Sequence, residues 1–284
     1  MNFRSRPWGD NITASDTGVI TSLPTGPLIE LEGVSKSFDG GSSFALHDVS
    51  LAVDAGTFIA LVGASGSGKT TAMKLINRLL EPDAGEVRLE GTPVRSLEAP
   101  LLRRRIGYVF QGVGLFPHMT IAENIGITPQ LLGWPRPEID ARVAELLDLV
   151  ELPRDYAGRL PHALSGGQRQ RAGVARAIAA RPRLVLMDEP FGALDPITRD
   201  ALGTAYRAIH DRLDVTTIMV THDVQEAVLL ADRIVVMGGG RILADGAPGA
   251  LLTGHGAPEV AALMAMPRRQ AERISALTAK AAHG

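Results

Sequence analysis

One string, Gly63-Ala64-Ser65-Gly66-Ser67-Gly68-Lys69-Thr70, constrains this chain more than any other feature. It directly follows Phe58-Ile59-Ala60-Leu61-Val62, a continuous apolar run of the kind that forms a strand buried on both faces. The string fits G-x-x-x-x-G-K-[ST], and its placement between a strand and a helix is what its chemistry demands. Glycines let the backbone wrap closely around phosphate oxygens, with successive N–H groups converging on them. The helix opening behind the loop adds partial positive charge, and Lys69 supplies a point charge for the outer phosphates. The Thr70 hydroxyl is placed to bind Mg²⁺. Thr71, in the same first turn, is counted with the phosphate-binding residues. Only four lysines occur against 25 arginines, and one of them stands in this loop.

The rest of the chain has the organisation such a loop requires. Arg183-Leu184-Val185-Leu186-Met187 and Thr216-Thr217-Ile218-Met219-Val220 are two further buried-strand runs. Helical stretches are predicted over residues 67–80, 166–180 and 197–213, so strand and helix alternate as in a parallel α/β sheet. Residues 29–34 alternate as an exposed edge strand does, and residues 45–53 offer a second such segment. Residues 118–164 contain no buried strand. Within them, residues 138–149 place Ile139, Val143, Leu146 and Leu147 on one helical face, which reads as a helical insertion. Residues 1–27 show neither periodicity nor the apolar core of a signal peptide, and read as a flexible extension, either without a role or used for docking, or as the result of a start placed too far upstream.

Leu184-Val185-Leu186-Met187-Asp188-Glu189 supplies a second half to the glycine loop. Four apolar residues carry two carboxylates to the C-terminal end of a buried strand, where open α/β sheets bind their ligands. Asp188 is expected to hold Mg²⁺ and Glu189 to accept a proton from an attacking water. Together the two halves read as a nucleotide hydrolase. Composition removes other classes. The net charge of −2 argues against a broad basic surface for nucleic acid. With no cysteine there is no disulfide framework, thiolate metal site or cysteine nucleophile. No apolar run reaches the roughly 20 residues that span a bilayer, so the chain is expected to be soluble on its own.

Leu164-Ser165-Gly166-Gly167-Gln168 narrows the class further. With Gln111, Asp195 and His222 in order, the chain resembles the nucleotide-binding subunits of ATP-binding cassette (ABC) transporters, over about residues 28–246. The resemblance implies an α/β P-loop NTPase, RecA-like, with a mostly parallel sheet, an antiparallel β edge and an inserted helical subdomain at about residues 112–166. It places an ABC ATPase domain at 28–254 and a C-terminal helical tail at 255–284, where Pro267 is expected to interrupt the helix. It also implies ATP and Mg²⁺ as cofactors. Phe38 stands where an aromatic ring stacks on adenine, and Gln111 where a glutamine touches Mg²⁺ and the attacking water. Asp195 lies in the loop that crosses to a partner subunit, and His222 matches the histidine on the γ-phosphate. Ser165, Gly166, Gly167 and Gln168 match the segment that caps the nucleotide of a second copy, so two sites form in a head-to-tail homodimer.

Further strings, Met73-Lys74-Leu75-Ile76-Asn77-Arg78-Leu79 and residues 187–200, are similar to osmoprotectant importers that take up glycine betaine, choline or carnitine. The resemblance implies integral membrane permease subunits as partners and, through them, a periplasmic or lipid-anchored solute-binding protein. The chain itself would sit at the cytoplasmic face of the inner membrane. Leu115 and Phe116 either form a socket for a permease helix or pin the insertion to the sheet. The tail is either a solvated helix packed on the sheet or a dimer-stabilising element. About 30 residues follow Thr253, too few for a pair of cystathionine-β-synthase-type modules, so control through such modules is expected to be missing. Other expectations stay open: an ABC importer for an amino acid or another betaine-like solute, or a soluble ABC ATPase acting on nucleic acid or the ribosome. Against the last, Lys69 and Ser165 are only 96 residues apart, with no heptad run and no duplication.

Overall fold

The computed structural model describes residues 26–254 and 257–281. The extension expected over residues 1–27 therefore lies outside the described residues, save for its last two. In chain order the elements open with β1 (Ile29–Lys36), β2 (Leu46–Val53), β3 (Phe58–Val62) and α1 (Lys69–Ile76). β4 (Ala84–Leu89), β5 (Thr92–Pro93), α2 (Ala99–Arg104) and β6 (Ile106–Val109) follow. Next come α3 (Ile121–Leu131), α4 (Arg136–Leu149), α5 (Gly166–Ile178) and β7 (Leu184–Asp188). The chain continues through α6 (Pro196–Leu213), β8 (Thr216–Val220), α7 (Val224–Leu230), β9 (Arg233–Gly238), β10 (Arg241–Gly246), α8 (Pro248–Thr253) and α9 (Pro258–Ala281).

The main sheet has the order β10-β9-β3-β8-β7-β6 and is parallel except for its β10 edge. Its strands read as unbroken apolar runs because both faces are covered. Ile59, Leu61, Leu184, Leu186, Ile218 and Val220 pack toward α1 and a second sheet, while Phe58, Ala60, Val185, Met187 and Met219 pack toward α5, α6 and α7. Each such side chain contributes roughly 1.5–3 kcal/mol when fully buried. β3 sits in the middle, between β8 and β9, as its composition predicts.

The second sheet is antiparallel, with the order β2-β1-β4-β5. Here the reading of residues 29–34 as an exposed edge is corrected. β1 is paired on both sides, with Ile29 and Leu31 opposite Val53 and Leu51 of β2 and opposite Leu89 and Val87 of β4. Its alternation records one buried face, not one free edge; β2 and the short β5 are the outer strands of this sheet. Such aligned apolar rows are the unit of sheet stabilisation.

α1 is shorter than residues 67–80. Gly68 at φ +101 starts it, and Arg78 at φ +54 follows its end. Residues 118–164 hold two α-helices and no strand, as expected. α4 buries Ile139, Val143, Leu146 and Leu147, and also Arg142. α3 has no counterpart in the sequence reading, although Thr120 and Glu123 form a reciprocal capping box at its start. α9 runs through Pro267 without ending there, which corrects the expected interruption, and it lies against α7 and α8, with Val260 and Met264 buried. Among the described residues, no helix is long and apolar enough to cross a membrane.

At the edge of the sheet remote from the glycine loop, α6 buries Tyr206 and His210 beside β8. Thr217 Oγ1 lies 2.8 Å from Tyr206 Oη and 3.0 Å from His210 Nδ1. Burial, helped by Arg207, pushes the imidazole pKa below 6.5, against the pull of Asp232 and Asp211. The unfolded chain therefore binds this proton more readily than the folded one. His210 thus costs no stability above pH 6.5 and lowers it progressively as the pH falls below that value. Urea unfolding at pH 7.5 and 5.5 is expected to show this loss, and His210→Asn should flatten the slope; an unchanged slope in the variant would assign the loss to other groups.

Candidate functional site

The glycine loop leaves the C-terminal end of β3. A Cβ at Gly63 would lie 2.1 Å from Met237 O, and one at Gly68 2.4 Å from Ala45 O, so neither position admits a side chain. Ala64, Ser65 and Gly66 are exposed at the lip, while Ser67 and Lys69 are buried and Thr70 and Thr71 half-buried. Lys69 Nζ folds back over the loop, donating to Gly63 O at 2.9 Å, Ala64 O at 2.8 Å and Ser67 Oγ at 3.1 Å. Burial lowers the lysine's pKa, and the nearby Glu189 and Asp188 raise it.

The two halves of the site touch. Thr70 Oγ1 donates to Asp188 Oδ1 at 3.2 Å. Burial raises the Asp188 pKa against that hydrogen bond, and Glu189 adds to the rise. Glu189 follows at φ +44, a left-handed position unusual for a side chain of its size, with its N–H donating to Val220 O at 2.9 Å. That turn brings the carboxylate to two residues from neighbouring strand ends. Gln111 Nε2, after β6, donates to Glu189 Oε2 at 3.0 Å, and His222 Nδ1, after β8, lies 3.4 Å from the same oxygen. Sequence reasoning named these three; it missed the residues that support them. Thr221 Oγ1 donates to Glu226 Oε2 at 2.7 Å and accepts from Asp223 N–H at 3.0 Å, while Asp223 caps α7. The buried threonine after an apolar strand was the available signal.

The donor set fits a small hard divalent cation. The Thr70 hydroxyl, the Asp188 carboxylate and the Gln111 amide oxygen are all oxygens, the amide nitrogen being turned to Glu189. A half-buried carboxylate whose pKa is raised by desolvation gains from a cation beside it.

The other sequence-predicted residues stand apart. Phe38 is 65% exposed, which excludes a core role, with Lys36 Nζ 5.8 Å from its ring centroid. Asp39 orders the following loop, its carboxylate held at about 2 chiefly by hydrogen bonds from Ser43. Ser165 caps α5 in a reciprocal box, accepting from Gln168 N–H at 3.3 Å and donating its own N–H to Gln168 Oε1 at 2.9 Å. Gly166 and Gly167 lie beside the following loop and helix: a Cβ at Gly166 would be 4.0 Å from Leu194 and one at Gly167 2.7 Å from Thr198. Asp195 caps α6, accepting from Thr198 N–H at 3.0 Å. Among the described residues, no hydrogen bond or ion pair joins residues 165–168 to the glycine loop.

Against Phe110 opens a groove of about 730 Å³, lined also by Leu79, Arg103, Arg104, Phe116 and Leu131, among others. Phe116 is exposed in it, whereas Leu115 is half-buried and packs against the core.

Residues 46–192 match the sequence profile of the ABC transporter family. The chain belongs to that family. Its cassette is 51% identical over 225 residues to the choline transport ATP-binding protein OpuBA of Bacillus subtilis, covering 79% of this chain and 59% of that protein. It is 50% identical over 226 residues to the glycine betaine uptake system ATP-binding protein YehX of Escherichia coli, covering 80% and 73%. A solved dimeric structure of the ATP-binding cassette MJ0796, in a post-hydrolysis state with ADP and Pi, superposes with a TM-score of 0.68 at 33% identity. It covers 77% of this chain and 98% of that one. The chain thus spans about six-tenths of OpuBA's length. The α/β architecture, with its parallel sheet, antiparallel sheet and inserted helices, is that of the ABC cassette fold.

Because Ser165 holds a helix end, its removal has a structural effect of its own. Ser165→Ala is expected to cost about 1 kcal/mol of stability, the usual loss of an N-cap. Denaturant midpoints of the single variants and of Ser165→Ala with Gln168→Ala would check it. A reciprocal box predicts a non-additive double variant, and strict additivity would count against it.

Proposed function

We propose that this chain is the ATP-hydrolysing subunit of an ABC importer and works as a head-to-tail homodimer beneath two membrane permease subunits at the cytoplasmic face of the membrane. The observation that carries the reading is the meeting of Gln111, Glu189 and His222 on one carboxylate oxygen, beside a glycine loop already joined to Asp188 through Thr70. The loop amides and Lys69 would bind the phosphates of ATP, the phosphates replacing the carbonyl partners Lys69 now has. Thr70, Asp188 and Gln111 would hold Mg²⁺, which, when bound, neutralises charge on the transferred phosphate. Glu189 accepts a proton from the attacking water, Gln111 orients that water, and His222 contacts the γ-phosphate. Phe38 offers a π face for adenine.

The signature residues Ser165, Gly166, Gly167 and Gln168 do not reach their own glycine loop, which suits service to a second copy's nucleotide, with Asp195 in the crossing loop. The dimeric state of MJ0796 supports this arrangement. The groove against Phe110 is the place for a permease helix. Phe116 is free to line it, and Leu115 pins the insertion. Similarity to OpuBA and YehX supports a quaternary-amine osmoprotectant such as glycine betaine or choline as cargo. The cargo would be delivered by a periplasmic or lipid-anchored solute-binding protein through the permease. No residue here would touch the solute, so cargo rests on that similarity.

Glu189→Gln should bind MgATP and dimerise while turnover falls by on the order of 10²–10⁴, the range for losing a general base. Normal hydrolysis by that variant removes Glu189 from the role. Lys69→Ala should lose nucleotide affinity in a fluorescent-ATP titration, and unchanged binding would overturn the glycine-loop assignment. Uptake of radiolabelled glycine betaine and choline, with and without the gene at low and high osmolarity, tests the cargo. Selective loss supports the osmoprotectant reading, and unchanged uptake of both rejects it while leaving the ATPase reading standing.

A further inference from the structure

The turn after Gln111 is held in an unfavourable shape. Residues Gly112, Val113 and Gly114 have φ of +77°, +71° and +57° in succession. For the glycines this costs little, but Val113 is β-branched, and a branched side chain at positive φ is sterically opposed. Gly114 N–H donates to Gly112 O at 2.9 Å across Val113, a three-residue turn of the strained hand. The hydrogen bond from Val113 N–H to Phe110 O, at 3.1 Å, closes the other side.

What opposes the strain comes from α5. Arg176 Nη1 donates to Gly114 O at 2.6 Å and Nη2 to Val113 O at 3.0 Å. The guanidinium is buried, and burial lowers its pKa. Among the described residues its hydrogen bonds go to these two carbonyls and its charge also faces the Phe110 ring at 5.9 Å. One turn earlier, Gly173 lets the valine approach the helix backbone: a Cβ there would lie 3.0 Å from Val113 Cγ1. The turn is therefore fastened to α5 by its two carbonyls and by its side chain. α5 is the helix that Ser165 opens.

We infer that Arg176 is a positioning residue for Gln111. By clamping residues 113 and 114 in the left-handed turn, it sets where the Gln111 amide meets Glu189, and it makes that amide move with the helix bearing the signature segment. The inference rests on the ATPase reading for its kinetic consequence, but the clamp itself does not.

The test uses Arg176→Met, Val113→Gly and the double variant, in the full chain. Arg176→Met should let the turn relax toward ordinary φ. Then kcat should fall by on the order of 10²-fold, as a displacement of about 1 Å does, with little change in KM or in fluorescent-ATP binding. Val113→Gly removes the steric opposition, so in the Arg176→Met background it should restore most of kcat. Hydrogen exchange of the amides at positions 113 and 114, each compared with its own unprotected rate, should quicken in Arg176→Met and slow again in the double variant. Unchanged kcat and exchange in Arg176→Met, or a loss with no rescue by Val113→Gly, would overturn the inference. Should Arg176→Met fail to fold, Arg176→Lys, whose single ammonium cannot span both carbonyls in the same way, carries the same comparison. If no variant and not even the wild type hydrolyses ATP, the ATPase reading falls, while the exchange pattern still decides the clamp.

Discussion

Everything at the site depends on the register of four parallel strands. Leu61 of β3 is level with Val220 of β8, Val220 with Asp188 of β7, and Met187 with Val109 of β6. Parallel strands in that register end at one edge, so the segments that follow them emerge side by side: the glycine loop, Asp188 with Glu189, Thr221 with His222, and Gln111. That shared edge is what lets Thr70 reach Asp188, and Gln111 and His222 reach Glu189, across so little loop. Both sheet faces are buried, so a slip of one residue would exchange the side chains of two unlike packed layers, and the register is held by how each layer fits its own neighbours. The hydrophobic layers beneath thus fix a constellation of polar atoms above to within a hydrogen-bond length.

Above that edge the chain breaks its own local rules. Glu189 and Val113 both occupy left-handed backbone, Asp188 is a half-buried carboxylate with a raised pKa, and Lys69 is a buried ammonium with a lowered one. Each would be costly alone. They persist because each is over-determined by neighbours: Glu189 by the Val220 carbonyl, Val113 by Arg176, Asp188 by Thr70, and Lys69 by three loop oxygens. Unfavourable backbone and buried charge of this kind last only where the surroundings over-determine them, as they do here.

How much of this the residues announced depends on the range of the interaction involved. The glycine loop, the apolar strands and the face of α4 were legible because each is set by neighbours in sequence: glycine freedom, an unbroken apolar run, a 3.6-residue period. The meeting of Gln111, Glu189 and His222 came instead from a family resemblance, since nothing local aims residues 78 positions apart at one oxygen. β1 was misplaced at an edge because alternation reports one covered face and is silent on how many strands flank it. α3 was overlooked although its Thr120–Glu123 box is written in the sequence, and its interior Pro129 obscures the period. Pro267 does not end α9, because a proline's local cost says nothing of the anchoring of the helix by buried Val260 and Met264. Arg176 had no signal at all: an arginine in an arginine-rich helix looks solvated until the fold shows which carbonyls it meets.

The same facts bear on how a ligand would be received. Lys69 is satisfied by its own loop, Ser165 and Gln168 by each other, and Glu189 by Gln111 and His222. Each of these groups already has a partner. Binding a phosphate or a second copy is therefore an exchange of hydrogen bonds, and its net free energy is a difference between two sets of similar strength rather than a sum of new contacts. An exchange of this kind favours groups that can change partners together. The clamp from α5 to the Gln111 turn provides such a link, because a shift of the helix start that frees Ser165 also shifts the amide that restrains Glu189. Coupling between the two ends of the site then follows from one rigid helix and two carbonyl hydrogen bonds.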